Sequence, residues 1–231
     1  MSGDIDRLAE DYYEFRLRTA PTWAHMIGEY RYADRFEDVS RAGERAVADE
    51  ARALAARAAA VPEDGLDDQQ RITRAMVEWD ATSRAGLLDS RTSEFAANPI
   101  FGPQVSLGVQ VPKLAVPDND VAEGMVAKFS SVATYFHDLA ERHREGVASG
   151  RTPADFAVRQ TAEQLDRWLS TPINQDQMLE VQDPPVAWTR PGGTSGCWPS
   201  CRSRFVRPSS TTATCSATRW RRTPVRMTGA G

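Results

Sequence analysis

The chain has 231 residues, enough for one large domain or two small ones, and its 41% hydrophobic and 26% charged content is that of an ordinary globular protein. No stretch approaches the roughly 20 apolar residues that span a bilayer. The acidic start Met1-Ser2-Gly3-Asp4-Ile5-Asp6 lacks the basic-then-apolar pattern of a secretory leader, so no membrane partner is expected and a cytoplasmic location is.

Charge divides the chain. Residues 1–184 hold 20 basic and 32 acidic side chains, net −12, whereas residues 185–231 hold eight Arg and no Lys, Asp or Glu, net +8. We therefore treat 1–184 as the helical N-terminal part of a larger domain and 185–231 as a basic, low-order tail.

In chain order, Ile5, Leu8, Tyr12 and Phe15 recur at helical spacing and predict a helix over 5–18. Pro21 interrupts it, and a short helix over 22–28 closes at Gly28. Residues 29–38 read as an ordered polar and aromatic loop. Ser40 is the N-cap of an Ala-, Arg- and Glu-rich helix to about Ala60. Asp67 caps the next, which runs to about Asp89 with Ile72, Met76 and Trp79 along one face.

Between Asn98 and Pro117, four Pro and two Gly break the helical pattern while Val105, Leu107, Val109 and Val111 alternate, which predicts a strand or an extended apolar loop. Asp118 opens one helix carrying Val121, Met125, Phe129, Val132, Phe136 and Leu139 on its apolar face, closed by Gly146. Thr152 caps a helix with Pro153 at its first position and Asp155 in its first turn; Val158, Ala162, Leu165 and Leu169 form its apolar face. Ser170-Thr171-Pro172 stops it, and a short helix covers 175–181. No internal repeat is present. The expected fold class is all-α: an irregular helical array with one long Pro/Gly-rich loop, an incomplete domain and a disordered C-terminal tail.

After Pro184 periodicity vanishes, and Ser, Thr, Arg, Pro, Gly, Cys and Trp dominate. Either this is a functional basic arm or it is the wrong reading frame of a GC-rich gene. Read from the third base of each codon, the segment around Arg219–Thr228 yields Arg-Asp-Glu-Val-Ala-Pro-His-Ala-Arg-Pro-Asp-Asp-Arg with permitted codons, and Met227-Thr228 forces one Asp. That peptide matches the character of residues 1–184 and favours a frameshift, so no nucleic-acid partner is expected. Cys197, Cys201 and Cys215 lie in the tail, which has no His, so a closed four-ligand zinc shell cannot be assembled there.

Few chemical motifs stand out. There is no phosphate-binding Gly loop, nucleophile elbow or CxxC pair. His137 and Glu141 share a helix face at i, i+4, but Asp138 and Arg142 pair beside them, which marks a solvated face. His25 is a packed or surface histidine, and His143 lies in the solvated charge run 141–145. Tyr30, Arg31, Tyr32 and Arg35 either contact a ligand or, as is commoner for aromatic and Arg side chains, pack between helices. Asn98, Phe101, Gly102 and Gln104 are the candidate cleft-lining residues. Asn98 or Gln104 would offer hydrogen bonds to a ligand, or else the amides of this crossing satisfy buried backbone groups.

Residues 10–170 resemble the N-terminal half of the bacterial domain-of-unknown-function family numbered 885. The resemblance rests on Pro21-Thr22-Trp23-Ala24, Gly28-Glu29-Tyr30-Arg31-Tyr32, Arg35-Phe36-Glu37-Asp38, Asn98-Pro99-Ile100-Phe101-Gly102-Pro103-Gln104 and Gly150-Arg151-Thr152-Pro153, in matching order and spacing. The frame-shifted Asp-Glu-Val-Ala-Pro-His-Ala-Arg peptide resembles the next segment of that family. The resemblance implies a larger, mostly helical protein similar to zincin-type metallopeptidases, with a zinc motif of the H-E-x-x-H kind in its second half.

This chain has no His-Glu pair, so no catalytic, metal or cofactor residue carries over, and zinc is implied only for the full-length family. The expected function is that of a truncated fragment, inactive as encoded. Its partners would be the missing C-terminal half of its own domain and, through exposed apolar stripes, copies of itself. The alternatives are a non-catalytic helical interaction module and nucleic-acid binding through the basic tail.

Overall fold

The computed structural model describes residues 2–176. The division at 184, the tail, and all but the first two residues of the helix expected over 175–181 lie outside that range. Within it the fold is all-α, with eight α-helices and no β-strand. No helix of the described residues is long and apolar enough to cross a membrane.

The first helix, α1 (Ser2–Thr19), buries Ile5, Leu8 and Phe15, as its spacing requires. Pro21 begins α2 (Pro21–Met26), and Gly28 ends the turn with φ +88°. The side chain of Ser40 accepts a hydrogen bond from Gly43 N and caps α3 (Arg41–Ala59). A reciprocal box between Asp67 and Gln70 starts α4 (Asp68–Asp89).

Helix α3 runs antiparallel to α4 along a seam of small side chains, with Ala48, Ala51 and Ala58 on one side and Val77, Ala81 and Ala85 on the other. Arg52 pairs with Asp89 at one end, and Arg74 Nε reaches the Val61 carbonyl at 2.8 Å at the other. Helix α1 packs on both. Together they enclose a core of Ile5, Leu8, Phe15, Leu54 and Leu66 with the alanines.

This packing reverses the expected face of α4. Ile72, Met76 and Trp79 point away from the core and are more than half exposed, Trp79 at 68%. Ala75, Thr82, Ser83, Gly86 and Leu87 continue that outer stripe without a charge. The inward face is set by the alanines, whose small size lets two helix backbones approach closely.

The segment expected to be extended is instead a helix, α5 (Pro103–Gln110). Gly102-Pro103 is its start signal, with Pro at the first position, and Leu107 and Val111 are buried one turn apart. The alternating valines mislead because the 3.6-residue period also satisfies Leu107 and Val111.

The single helix expected over 118–146 is two, α6 (Asn119–Ser130) and α7 (Val132–Ala148). Ser130 Oγ donates to Val126 O and Ser131 Oγ to Lys128 O, side-chain bonds that compete with helix continuation. Gly146 does not close α7; the helix continues to Ala148, and Gly150 supplies the left-handed residue.

Asp155 opens α8 (Asp155–Ser170) after Ala154, so Thr152 does not cap it and Pro153 precedes it. Only Ala157 and Thr161 of α8 are buried, while Val158, Leu165 and Leu169 stay half-covered. A second core gathers Phe36, Leu107, Val111, Leu114, Val116, Val121, Met125 and Phe129 from the loop after α2, α5 and α6.

Candidate functional site

The Asn98 loop is a self-satisfied crossing. Asn98 Oδ1 accepts hydrogen bonds from Ile100 N at 2.8 Å and Phe101 N at 3.0 Å. Gln104 Nε2 donates to Asn98 O at 2.9 Å and to Gln164 Oε1 on α8 at 3.1 Å, and Gln164 Nε2 donates to Pro99 O at 2.8 Å. A Cβ on Gly102 would run into Asn98 O and the Gln104 amide. The amides of Asn98 and Gln104 thus bind backbone and the Gln164 side chain. Only Ile100 and Phe101 project, Phe101 at 81% exposure.

A first buried charge lies at Glu94, in the 3-10 turn after α4. Its side chain is 0% exposed, and four guanidiniums surround it: Arg151 at 2.8 Å, Arg41 at 3.2 Å, Arg142 at 3.4 Å and Arg91 closer still. Arg142, expected on a solvated face, is 1% exposed and also bonds Glu44 at 2.6 Å and Glu145. The surplus of charge partners makes this burial tolerable. Burial pushes the Glu94 carboxyl up, but the Arg151 bond and the charges of Arg91, Arg151 and Arg142 leave it below the usual carboxylate range.

Gly146 makes the arrangement possible. A Cβ there would strike the carbonyls of Glu94 and Arg151, so α7 can approach the turn only at a glycine. Neither Glu94 nor Arg142 is legible in the sequence as a buried pair. The one sequence signal is that glycine, one turn beyond Arg142 in an otherwise sound helix.

A second buried charge is Lys128 on α6, 0% exposed. Its Nζ donates to Thr22 Oγ1 at 3.1 Å and lies 5.0 Å from the Phe36 ring centre. The Thr22 hydroxyl donates to Glu37 Oε2 at 3.0 Å, and Thr22 N to Glu37 Oε1 at 2.9 Å. Burial pulls the ammonium down to about 8, against the attraction of Glu37 and Asp34. The same burial, with Glu37 nearby, pushes the Tyr135 phenol up. Sequence reasoning missed Lys128, although a signal exists: with Val121 and Met125 it occupies an i, i+4, i+7 inward stripe.

The histidines do not converge. His25 is packed, one of the two states expected for it, with Nε2 donating to Ala115 O at 2.7 Å and the ring edge-on to Tyr30. Burial lowers its pKa, as it does for His143, which is half-buried rather than solvated because α7 turns that face inward. His137 is exposed beside Asp138 and Glu141. Among the described residues no three His, Cys, Asp or Glu side chains are gathered so as to hold a metal ion. Arg31 pairs with Glu14 and Glu29, and Arg35 with Asp34, so both are held on the surface by neighbouring carboxylates.

A cleft of about 260 Å³ opens between α3 and the end of α4, lined by Arg41, Arg45, Arg52 and Arg91 with Glu44, Asp49 and Asp89.

Residues 21–194 match the family described as "Bacterial protein of unknown function (DUF885)", most of the 231-residue chain. The chain belongs to the DUF885 family. No curated protein and no solved structure matches it. Both buried charges and the Asn98 loop fall inside the DUF885 match. The match also runs past Pro184 to Thr194, into the segment where the composition changes.

Proposed function

We propose that this chain is the helical N-terminal part of a metallopeptidase-like DUF885 protein, forming one wall of a cleft whose zinc ligands lie in a second half, and that it is inactive by itself. The observation that supports the incomplete-domain part of this reading is the apolar surface left for a partner; the metallopeptidase-like part rests on the resemblance set out in the sequence analysis. The outer stripe of α4 presents Ile72, Met76, Trp79 and Leu87 to solvent, and the apolar face of α8 is only half-covered. Contiguous apolar surface of this kind marks an interaction face. The Asn98 loop, with Ile100 and Phe101 projecting from a hydrogen-bonded base, fits the rim of such a cleft.

The wrong-frame origin of the tail, from about residue 185, belongs to the same proposal and is supported by the change in composition and charge there. Sequencing the encoding DNA and its downstream region tests both. A frame that continues with a His-Glu zinc motif is the expected result; a genuine stop with no such continuation overturns the proposal.

The charge-free stripe on α4 also favours a second reading, a non-catalytic interaction module. In that case the encoding frame ends in a genuine stop, and Trp79→Lys abolishes partner capture without changing the fold. On the first reading the purified chain binds hydrophobic dye and self-associates, and Trp79→Lys reduces both.

A further inference from the structure

We infer that the outer stripe of α4 is the interface of a two-fold dimer, in which α4 packs antiparallel against α4 of a second copy. The inference rests on the reading that this stripe is an interaction face, and it names the occupant. The half-covered face of α8 and the Asn98 loop remain for the second half.

Size is unevenly distributed along the stripe. Ile72 and Met76 lie in its first half, Trp79 in the middle, and Thr82, Ser83 and Gly86 in the second, all exposed, with Leu87 at the edge. At about 100° per residue these positions share one face. A two-fold axis crossing both helices at Trp79 sets residues equally far before and after it against each other. Ile72 of one copy then meets Gly86 of the other, Met76 meets Ser83, and Ala75 meets Thr82. Large side chains enter the space left by small ones, as close helix packing requires. A parallel copy would instead set Ile72 on Ile72 and leave Gly86 over Gly86.

Gly86 is an independent sign of a close neighbour. Its φ is not left-handed, and a Cβ there would meet nothing within 4 Å. Nothing within the described residues therefore requires a glycine, the poorest helix former after proline. Close approach of another backbone does require one.

Charge agrees. The stripe from Ile72 to Leu87 carries none, and on one flank Arg71 of each copy comes beside Asp89 of the other. The like charges nearest the axis are already partnered: Glu78 lies 3.7 Å from Arg74, and Asp80 is held by Arg16 and Arg84.

The test is sedimentation equilibrium of the full chain from about 1 to 200 μM, a range that suits an interface smaller than the usual ~800 Å² per partner. Reducing buffer keeps Cys197, Cys201 and Cys215 from cross-linking. The expected result is a monomer–dimer equilibrium without larger species. Gly86→Leu puts a better helix former into open space, so it should not lower the melting temperature of the dilute monomer. It should nevertheless weaken dimerisation about tenfold or more. Non-specific apolar association would strengthen instead, because leucine adds apolar surface. Adding Ile72→Ala makes room for the new side chain and should recover most of the loss. A monomer throughout, open-ended aggregation without a dimer, a lowered melting temperature or unweakened dimerisation in Gly86→Leu, or no recovery in the double variant would each overturn the inference. None of these outcomes bears on a downstream zinc motif, which DNA sequencing decides by itself.

Discussion

Glu94 and Lys128 are both removed from water, yet their surroundings treat charge in opposite ways. Glu94 is met by four guanidiniums, and its carboxyl is held low, so it is buried as an ion. Lys128 is met by one hydroxyl, one aromatic face and a carboxylate reached only through Thr22, and its ammonium is pulled down to about 8. One site joins three elements, the start of α3, the turn after α4 and α7, through ionic contacts. The other lies within an apolar core and tolerates a charge poorly. Burial alone therefore does not decide the state of an ionisable group; the number of direct opposite charges does.

The largest expected effect is at Glu94. Glu94→Gln leaves the buried Arg142 and its neighbours without their shared anion, and should cost about 3–5 kcal/mol in urea unfolding. A loss below about 1 kcal/mol would show that the guanidiniums find solvent and that the cluster is not a buried ionic lock. The sign of the pH dependence is set by the same contacts. Because the folded pKa is lowered, the contribution of Glu94 is complete above about pH 4.5 and is lost as pH falls. Glu94→Gln should flatten that acid limb.

Next in size is the alkaline limb. Between about pH 8 and 10 the folded Lys128 has released its proton while the unfolded lysine keeps it, so the unfolded state binds more protons and stability rises with pH. The expected gain is on the order of 2–3 kcal/mol, from roughly two pKa units. Lys128→Met should remove this rise and be close to neutral at pH 7. A wild-type profile that is flat from pH 8 to 10 would mean that Lys128 reaches water or a direct anion.

The smallest effect separates strain from pairing at Arg91. Arg91→Gly loses the ion pair but relieves the left-handed backbone, whereas Arg91→Ala loses the pair and keeps the strain. The glycine variant should be about 1 kcal/mol more stable than the alanine variant in thermal unfolding. Equal stabilities would show that the turn relaxes without cost.

Much of the helical order is legible in the sequence because local rules decide it. Ser40, Asp67 and Asp118 each cap the helix that their sequence announces. Long-range choices are not legible. Ile72, Met76 and Trp79 have good helical spacing, but the alanines of α3 select Val77, Ala81 and Ala85 as the inward face. Glu94 and Arg142 stand 48 positions apart, and nothing local distinguishes a charge that will be enclosed from one that will be solvated. The Asn98 loop stands out in the sequence, but its internal hydrogen bonds are a feature that spacing cannot show. Asn98 and Gln104 spend theirs on backbone and Gln164, which leaves Phe101 as the exposed member and Gly102 as the close-approach point.

Whether these helices catalyse anything alone is decided by loading the purified chain with zinc, dialysing it against metal-free buffer, and measuring retained metal alongside hydrolysis of a mixed peptide library. The expected result is zinc far below one equivalent and no hydrolysis above the buffer blank. A full equivalent of zinc retained, with hydrolysis that a chelator abolishes, would contradict the proposal that this chain is the non-catalytic wall of a larger DUF885 protein.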